Sequence, residues 1–280
     1  MPHGRADAMI RNRRRHRAVN QSQSSLVMNG MLLLLAMCGW IIGGEAGVRW
    51  AVSVEALPPP RPPTITPEAM LRQFGARLML RHEMPVLFDV LAELCRRADL
   101  PRMPDLYRLP DPAMNAYALG GPGQSAITLT EGLLRGMTLN EIAAILAHEV
   151  AHLRNDDASC MTLATALHCA TGLVSLLGGV RPPPPGCPLA MLLRSAPAIG
   201  RLLHLALSRL REFDADIAAL ELTGDPLALM AALGKMEADH SGGPTVRPPP
   251  AALDIVRYLR SHPETADRLH TLQSLAWHRG

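Results

Sequence analysis

The sequence predicts an α+β fold that is predominantly helical, with a small β-sheet and an N-terminal transmembrane anchor. Three observations lead to this prediction. Apolar residues make up 48% of the 280 residues, enough to form a buried core. Short β-type segments follow one another between residues 105 and 130, and helical patterns lie on both sides of them. The most apolar run, residues 26–44, lies near the N-terminus.

The first 57 residues predict a basic cytoplasmic tail and then a membrane anchor. Residues 1–25 hold six Arg against one acidic residue, and the rest of the chain is close to neutral, which argues against a nucleic-acid-binding face. Residues 26–44 would span about 28 Å as a helix, close to the hydrocarbon thickness of a bilayer. The alternative is a cleaved signal peptide, but a basic leader of this length exceeds an ordinary one. The Arg cluster predicts a cytoplasmic N-terminus.

The number of N-terminal membrane crossings stays open. The anchor region extends to residue 57, but residues 48–57 are too short to return across a bilayer unaided and include Arg49 and Glu55. Residues 58–63, with the sequence PPPRPP, predict a stiff spacer. One crossing would place the rest of the chain outside the cytoplasm, and two would keep it inside.

Residues 64–280 predict one domain whose first half contains the sheet. Proline-initiated helices are expected from Pro67 to about Arg81 and from Pro85 to Ala98. Strands are expected at residues 105–109, 116–119 and 126–130, with the glycine-rich run 120–123 as the turn between the last two.

The second half of this domain is predicted to be helical. Thr138 and Glu141 form a capping box that opens a helix reaching about Arg154. Two apolar runs then form an inserted hairpin over residues 161–207, and whether it enters the bilayer stays open because its second arm contains Arg194 and Arg201. The second arm is expected to continue as helix over residues 208–223, and a further helix is expected from residue 226 to about 239.

The capped helix contains the motif His148-Glu149-Val150-Ala151-His152. Positions i and i+4 place both imidazoles on one helical face, as two ligands of a tetrahedral zinc ion require. Glu149 could then act as the general base on a zinc-bound water. The alternative is a helix with two surface histidines, but the neighbouring positions are apolar, which favours a buried metal site.

A zinc site of this kind needs a third protein ligand. The sequence offers five candidates: Asp157, His168, Glu212, His262 and His270. Glu212 and Asp216 lie four residues apart on a predicted helix, so their carboxylates project from the same face. One could bind the metal while the other accepts a hydrogen bond from the outer nitrogen of a ligand histidine. The alternative is a solvated acidic face.

These motifs together resemble those of the HtpX-type membrane zinc metalloproteases, which are relatives of the CAAX prenyl proteases. The resemblance covers roughly residues 64–280 and includes HEVAH, the segment REFDAD around Glu212, Ser261-His262-Pro263 followed by Arg268, Asn115-Ala116-Tyr117, and TEGLL. It implies a gluzincin fold, a single zinc ion held by His148, His152 and Glu212, and Glu149 as the base. It also implies that His262 donates a hydrogen bond to the oxyanion and that Arg268 supports the site.

The resemblance further implies how substrate and membrane are engaged. Family members pair an edge strand with the substrate backbone, which assigns this role to Ala126, Ile127 and Thr128, with Asn115 nearby. The same resemblance implies that the catalytic domain lies on the cytoplasmic side of the inner membrane. The chain departs from the family in two places. The second N-terminal membrane helix is reduced to residues 48–57 and a proline run, and the inserted hairpin carries two Arg residues in its second arm.

The sequence therefore predicts a membrane-anchored zinc endopeptidase that acts on misfolded or membrane-associated proteins. The alternative from another class is a catalytically silent membrane scaffold that keeps the metal site. Retention of Glu149 speaks against this alternative, since a structural site has no use for a base. Prenyl-protein processing shares every motif, but the chain lacks the several spanning helices of those enzymes.

Overall fold

The computed structural model describes residues 3–56, 67–121, 124–180 and 188–241, together with Arg268 and Leu272. The predicted spacer 58–63 and the residues His262 and His270 lie outside the described residues. The helices are α1 His3–Ala56, α2 Pro67–Gln73, α3 Pro85–Arg97, α4 Glu131–Gly136, α5 Leu139–Asn155, α6 Asp157–Val180, α7 Pro188–Thr223 and α8 Pro226–Ser241. The strands are β1 Arg77–Leu78, β2 Asp105–Leu109, β3 Ala116–Gly121 and β4 Gln124–Thr130.

The helices and strands belong to two compact units. The first unit draws on residues 1–17, 65–158 and 211–280 and contains the whole sheet. The second unit draws on residues 18–64 and 159–210 and is helical wherever the structure describes it. The predicted fold class, a predominantly helical α+β chain with a small sheet, is confirmed.

The sheet of the first unit has the strand order β1-β2-β4-β3. β2 pairs with β4 in parallel, and β3 pairs with β4 antiparallel, with Ala118 opposite Ile127. The prediction that residues 126–130 form an edge strand is therefore wrong. They lie in the interior strand β4, and β3 occupies the edge instead.

The core of the first unit lies on the face of the sheet that carries Ile127 and Leu129. Both side chains are fully buried and belong to one cluster with residues of α3, α5 and α8. α5 packs against β3, α3 and α8. Because α5 is buried on nearly every side, the predicted motif helix is the central helix of this unit rather than a surface helix.

One helix prediction differs from the structure in its bounds. The helix predicted from Pro67 to about Arg81 ends at Gln73, because Gly75 adopts a φ of +75° and the chain then enters β1. This left-handed conformation suits glycine and stops a helix. The second arm of the predicted hairpin continues as helix over residues 208–223, as expected, and both stretches belong to α7, which runs through Pro197.

Gly132 in α4 is placed where no side chain fits. A Cβ atom at this position would lie 1.9 Å from the carbonyl oxygen of Pro112, which belongs to the loop before β3. A Cβ atom at Gly136 would instead meet the flexible end of Met114. The loop leading into β3 therefore rests directly on the backbone of α4.

We expect Gly132→Ala to lower the free energy of unfolding by about 1–3 kcal/mol, because the clash is with the backbone and forces it to move. Gly136→Ala is the matched control, since the Met114 side chain can move aside and Ala favours the helix. Urea unfolding of both variants measures the difference. Equal stability of the two variants would contradict this account of the loop.

The second unit contains a reversal of the chain at Gly43 and Gly44, which leave helical geometry inside α1. A Cβ atom at Gly47 would lie 2.0 Å from the carbonyl oxygen of Gly39, so the segment after the reversal lies against the segment before it. Glycine at both positions permits this close approach of two helix backbones.

Among the residues that the structure describes, two helices are long and apolar enough to cross a membrane by length and composition, Ala18–Arg49 and Asp157–Leu176. Large apolar side chains of the second unit are exposed on both, including Leu33 and Trp40 of α1 and Leu176 of α6. α6 and α7 run side by side, with contacts between Thr165 and His204 and between Ser175 and the Leu193 carbonyl. Arg194 and Arg201 are exposed on α7.

Candidate metal centre

α5 and α7 approach closely in the first unit because small residues line the contact. Ala151 of α5 and Ala215 and Ala218 of α7 form a buried cluster of their own. Because the side chains of this cluster are single methyl groups, longer side chains beside it can reach across. The residues that do so are His148 and His152 from α5 and Glu212 from α7.

The donor atoms of these three residues face one another. The two Nε2 atoms of His148 and His152 are 3.0 Å apart. The carboxylate oxygens of Glu212 lie 3.3 Å from Nε2 of His148 and 3.7 Å from Nε2 of His152. A tetrahedral zinc ion with bonds of about 2.0–2.1 Å holds its ligand atoms about 3.3 Å apart, so the set fits zinc.

The outer nitrogen of each imidazole faces a carboxylate. Nδ1 of His148 lies 3.0 Å from Asp216, and Nδ1 of His152 lies 2.7 Å from Asp157. A proton held on Nδ1 by a carboxylate leaves the lone pair of Nε2 free for a metal. The sequence left open which histidine Asp216 holds, and the structure places it beside His148. Asp157, one of the five third-ligand candidates, lies on the outer side of His152 instead.

Arg268 closes the site from the C-terminal segment. Its guanidinium donates two hydrogen bonds to Asp216, at 2.7 and 2.6 Å, and lies 3.4 Å from Glu212. Burial would lower the pKa of Arg268, but Asp216, Glu212 and Glu149 outweigh it and raise that pKa. Burial would raise the pKa of the Asp216 carboxyl, and the charge of Arg268 lowers it instead. Both groups are therefore ionised over the whole physiological range.

The histidines of the site bind protons strongly when no metal competes. Burial would lower the pKa of His148, but Asp216 and Glu212 outweigh it and raise the pKa to about 10. Burial likewise opposes the charged form of His152, and its bond to Asp157 raises the pKa above the ordinary value. A metal ion must displace these protons, so metal binding strengthens as the pH rises.

The remaining predicted catalytic and ligand candidates lie as follows. Glu149 follows His148 in α5 and is buried. His262 lies outside the described residues, as does His270. His168 belongs to the second unit, where its ring centroid is 6.2 Å from that of His204.

The predicted substrate-binding residues lie in and beside the sheet. Ala126, Ile127 and Thr128 are buried in β4, which pairs on both sides, so their backbone is not free to pair with a peptide. Asn115 is buried immediately before β3, and its side chain donates to the Tyr117 hydroxyl and accepts from the Ala116 amide. Among the described strands, β3 pairs with β4 alone, so β3 forms the edge on this side of the sheet.

Arg211 is a residue of the site that the sequence analysis did not identify. It donates to Asp157 at 3.2 Å and to Asp214 at 2.7 Å, so it joins the start of α6 to α7. The only signal in the sequence was its position beside Glu212 in the segment REFDAD.

Comparison with known proteins identifies the family. The model of peptidase family M48 matches residues 82–276, which include α5, the metal-ligand candidates and Arg268. The chain belongs to peptidase family M48. Membership in this family makes the chain a protease, and the three-residue cluster accords with a metallopeptidase of the M48 type.

Relatives of the M48 chain extend this similarity over nearly its whole length. A protease HtpX homolog from Acaryochloris marina is 34% identical, covering 92% of this chain and 95% of the relative. Those from Aquifex aeolicus and Salinibacter ruber are 31% and 32% identical over 92% of this chain, covering 93% and 99% of the relative. The predicted resemblance to HtpX-type proteases is thereby confirmed.

Proposed function

We propose that this chain is a zinc-dependent endopeptidase in which His148, His152 and Glu212 hold one zinc ion and Glu149 is the general base. The observation that supports it most directly is the convergence of three donor atoms at the separations of zinc ligands. Carboxylates on both outer nitrogens add to this support, because they direct both Nε2 lone pairs at the same point.

Zinc, when bound, would lower the pKa of a coordinated water to near 7 and polarise the scissile carbonyl. In the proposed mechanism the Glu149 carboxylate accepts the proton of the attacking water and passes it to the leaving amine nitrogen. His262 is proposed to donate a hydrogen bond to the developing oxyanion. Arg268 holds Asp216 and balances the negative charge of Glu212 beside the metal ligands.

The substrate backbone is proposed to add to the edge of β3. In the described part of the chain β3 pairs with β4 alone, so its other edge can accept an extended peptide. α5 packs against β3, which brings such a peptide alongside the motif helix. Backbone pairing of this kind tolerates many sequences, as expected of an endopeptidase with broad protein substrates.

We further propose that the chain is anchored in the inner membrane with its catalytic domain on the cytoplasmic side. Support comes from the apolar helix Ala18–Arg49 with its exposed large side chains and from the Arg-rich residues that precede it. The chain reversal at Gly43 and Gly44 supports a return of the chain toward the cytoplasmic side, where the N-terminus is proposed to lie. Substrates at such a site would be misfolded or membrane-associated proteins.

The experiment that tests the activity is chelation of the purified full-length protein. We expect o-phenanthroline to abolish cleavage of casein and added zinc to restore it, whereas 1,7-phenanthroline, an isomer that does not chelate, has no effect. Cleavage that survives o-phenanthroline would contradict a metal-dependent mechanism. A protein that binds zinc at one ion per chain but cleaves nothing would instead favour the silent scaffold.

A further inference from the structure

The structure contains a second carboxylate–guanidinium pair at the metal cluster, formed by Asp157 and Arg211. We propose that Asp157 is a positioning residue for the zinc ligand His152, and that Arg211 holds Asp157 in place. This inference rests on the proposed zinc site and adds to it the residues that fix the orientation of its second imidazole.

The contact between Asp157 and His152 is short and buried. Oδ2 of Asp157 lies 2.7 Å from Nδ1 of His152, and the Asp157 side chain is only 6% exposed. Asp157 is the first residue of α6, and Asp156 before it has a left-handed backbone with a φ of +52°. This sharp junction between α5 and α6 turns the carboxylate back toward the imidazole one turn earlier in α5.

Arg211 balances the charge of the buried carboxylate. Its Nη1 atom lies 3.2 Å from Oδ1 of Asp157, so the two carboxylate oxygens serve different partners. Its Nη2 atom donates to Asp214 at 2.7 Å, which fixes the guanidinium from the other side. An ionised carboxylate that loses such a partner in a buried position is strongly destabilised.

The two imidazoles of the site are thus supported in the same manner. His148 contacts Asp216, and Asp216 is held by Arg268. His152 contacts Asp157, and Asp157 is held by Arg211. Without the second pair His152 could rotate or hold its proton on Nε2, and either change removes the lone pair that a metal needs. Loss of outer partners of this type costs about 10–100-fold in metal affinity.

The test compares zinc affinity in full-length variants by competition with a chromophoric chelator. We expect Asp157→Ala to weaken zinc binding about 10–100-fold. Asp157→Asn should fall between the wild type and Asp157→Ala, since its amide oxygen can still accept from His152 while Arg211 loses its anion. Asp99→Asn is the matched control, because Asp99 is exposed and has the same left-handed φ of +52°, which asparagine tolerates.

Arg211 is tested by Arg211→Lys against Arg209→Lys. A lysine cannot bond both Asp157 and Asp214 in the fork geometry of a guanidinium, whereas Arg209 is exposed. We expect weaker zinc binding only at position 211. The absorption spectrum of the Co²⁺-substituted protein gives a second reading, because it follows ligand geometry and not stability. It should change in Asp157→Ala and Arg211→Lys and stay unchanged in both controls.

Wild-type zinc affinity and an unaltered cobalt spectrum in Asp157→Ala would overturn the positioning role while leaving the proposed function intact. A wild-type protein that binds no zinc would contradict the proposed function itself. If Asp157→Ala unfolds, Asp157→Asn and Arg211→Lys decide the question by the same two readings.

Discussion

Glu149→Gln is expected to lower the rate of casein cleavage by about 10²–10⁴-fold while zinc stays bound at one ion per chain. Loss of a positioned general base accounts for an effect of this size. Glutamine has nearly the same shape as glutamate, and Glu149 is buried in α5 among well-packed residues, so the fold should tolerate the exchange. None of the three proposed zinc ligands is altered.

Cleavage rate and zinc content of the same protein preparation provide the measurement. Glu68→Gln is the matched control, because Glu68 is exposed and its ion pair with Arg72 lies on the surface, where such pairs contribute little. A Glu149→Gln protein that holds zinc and cleaves casein at the wild-type rate would contradict the assignment of the base.

Glu212→Ala has the second large effect that we expect, a loss of zinc affinity of more than 100-fold. Glu212 supplies the only anionic ligand of the proposed set, and an outer partner alone is worth about 10–100-fold. The Arg268 guanidinium lies 3.4 Å from the Glu212 carboxylate, so removal of Glu212 leaves the positive charge of Arg268 less well neutralised beside the metal position. Positive charge near the site disfavours a divalent cation.

Chelator competition measures this loss, and Glu221→Ala in the same helix is the control, since Glu221 is exposed. Glu212→Gln keeps the size of the side chain and provides the answer if the alanine variant does not fold. Undiminished zinc affinity in both Glu212 variants would mean that another carboxylate, such as Asp216, is the third ligand.

The grouping of His148, His152 and Glu212 could be predicted from the sequence because it depends largely on spacing within single helices. His148 and His152 are one turn apart, and so are Glu212 and Asp216, which places each pair on one face whatever the rest of the fold. The capping box of Thr138 and Glu141 likewise appears in the structure as predicted, since all its contacts are local.

Relationships between separate segments were harder to predict. Residues 126–130 have the pattern of a strand, but a pattern does not give the order of strands in a sheet. Every residue from Ser125 to Thr130 is buried because β4 has neighbouring strands on both sides. The two threonines are polar, so the sequence alone did not indicate that this strand lies in the interior of the sheet. The role of Asp157 could not be predicted because it depends on the sharp turn at Asp156. This turn determines whether the Asp157 carboxylate faces the metal position or the outer nitrogen of His152.

The central claim is that one zinc ion is bound jointly by α5 and α7. Anomalous diffraction at the zinc absorption edge, from crystals of the zinc-loaded protein, tests it most directly. The account predicts one strong peak per chain at about 2.0–2.2 Å from Nε2 of His148, Nε2 of His152 and a carboxylate oxygen of Glu212. A peak that lacks any one of these three ligands, or that lies elsewhere in the chain, would contradict it.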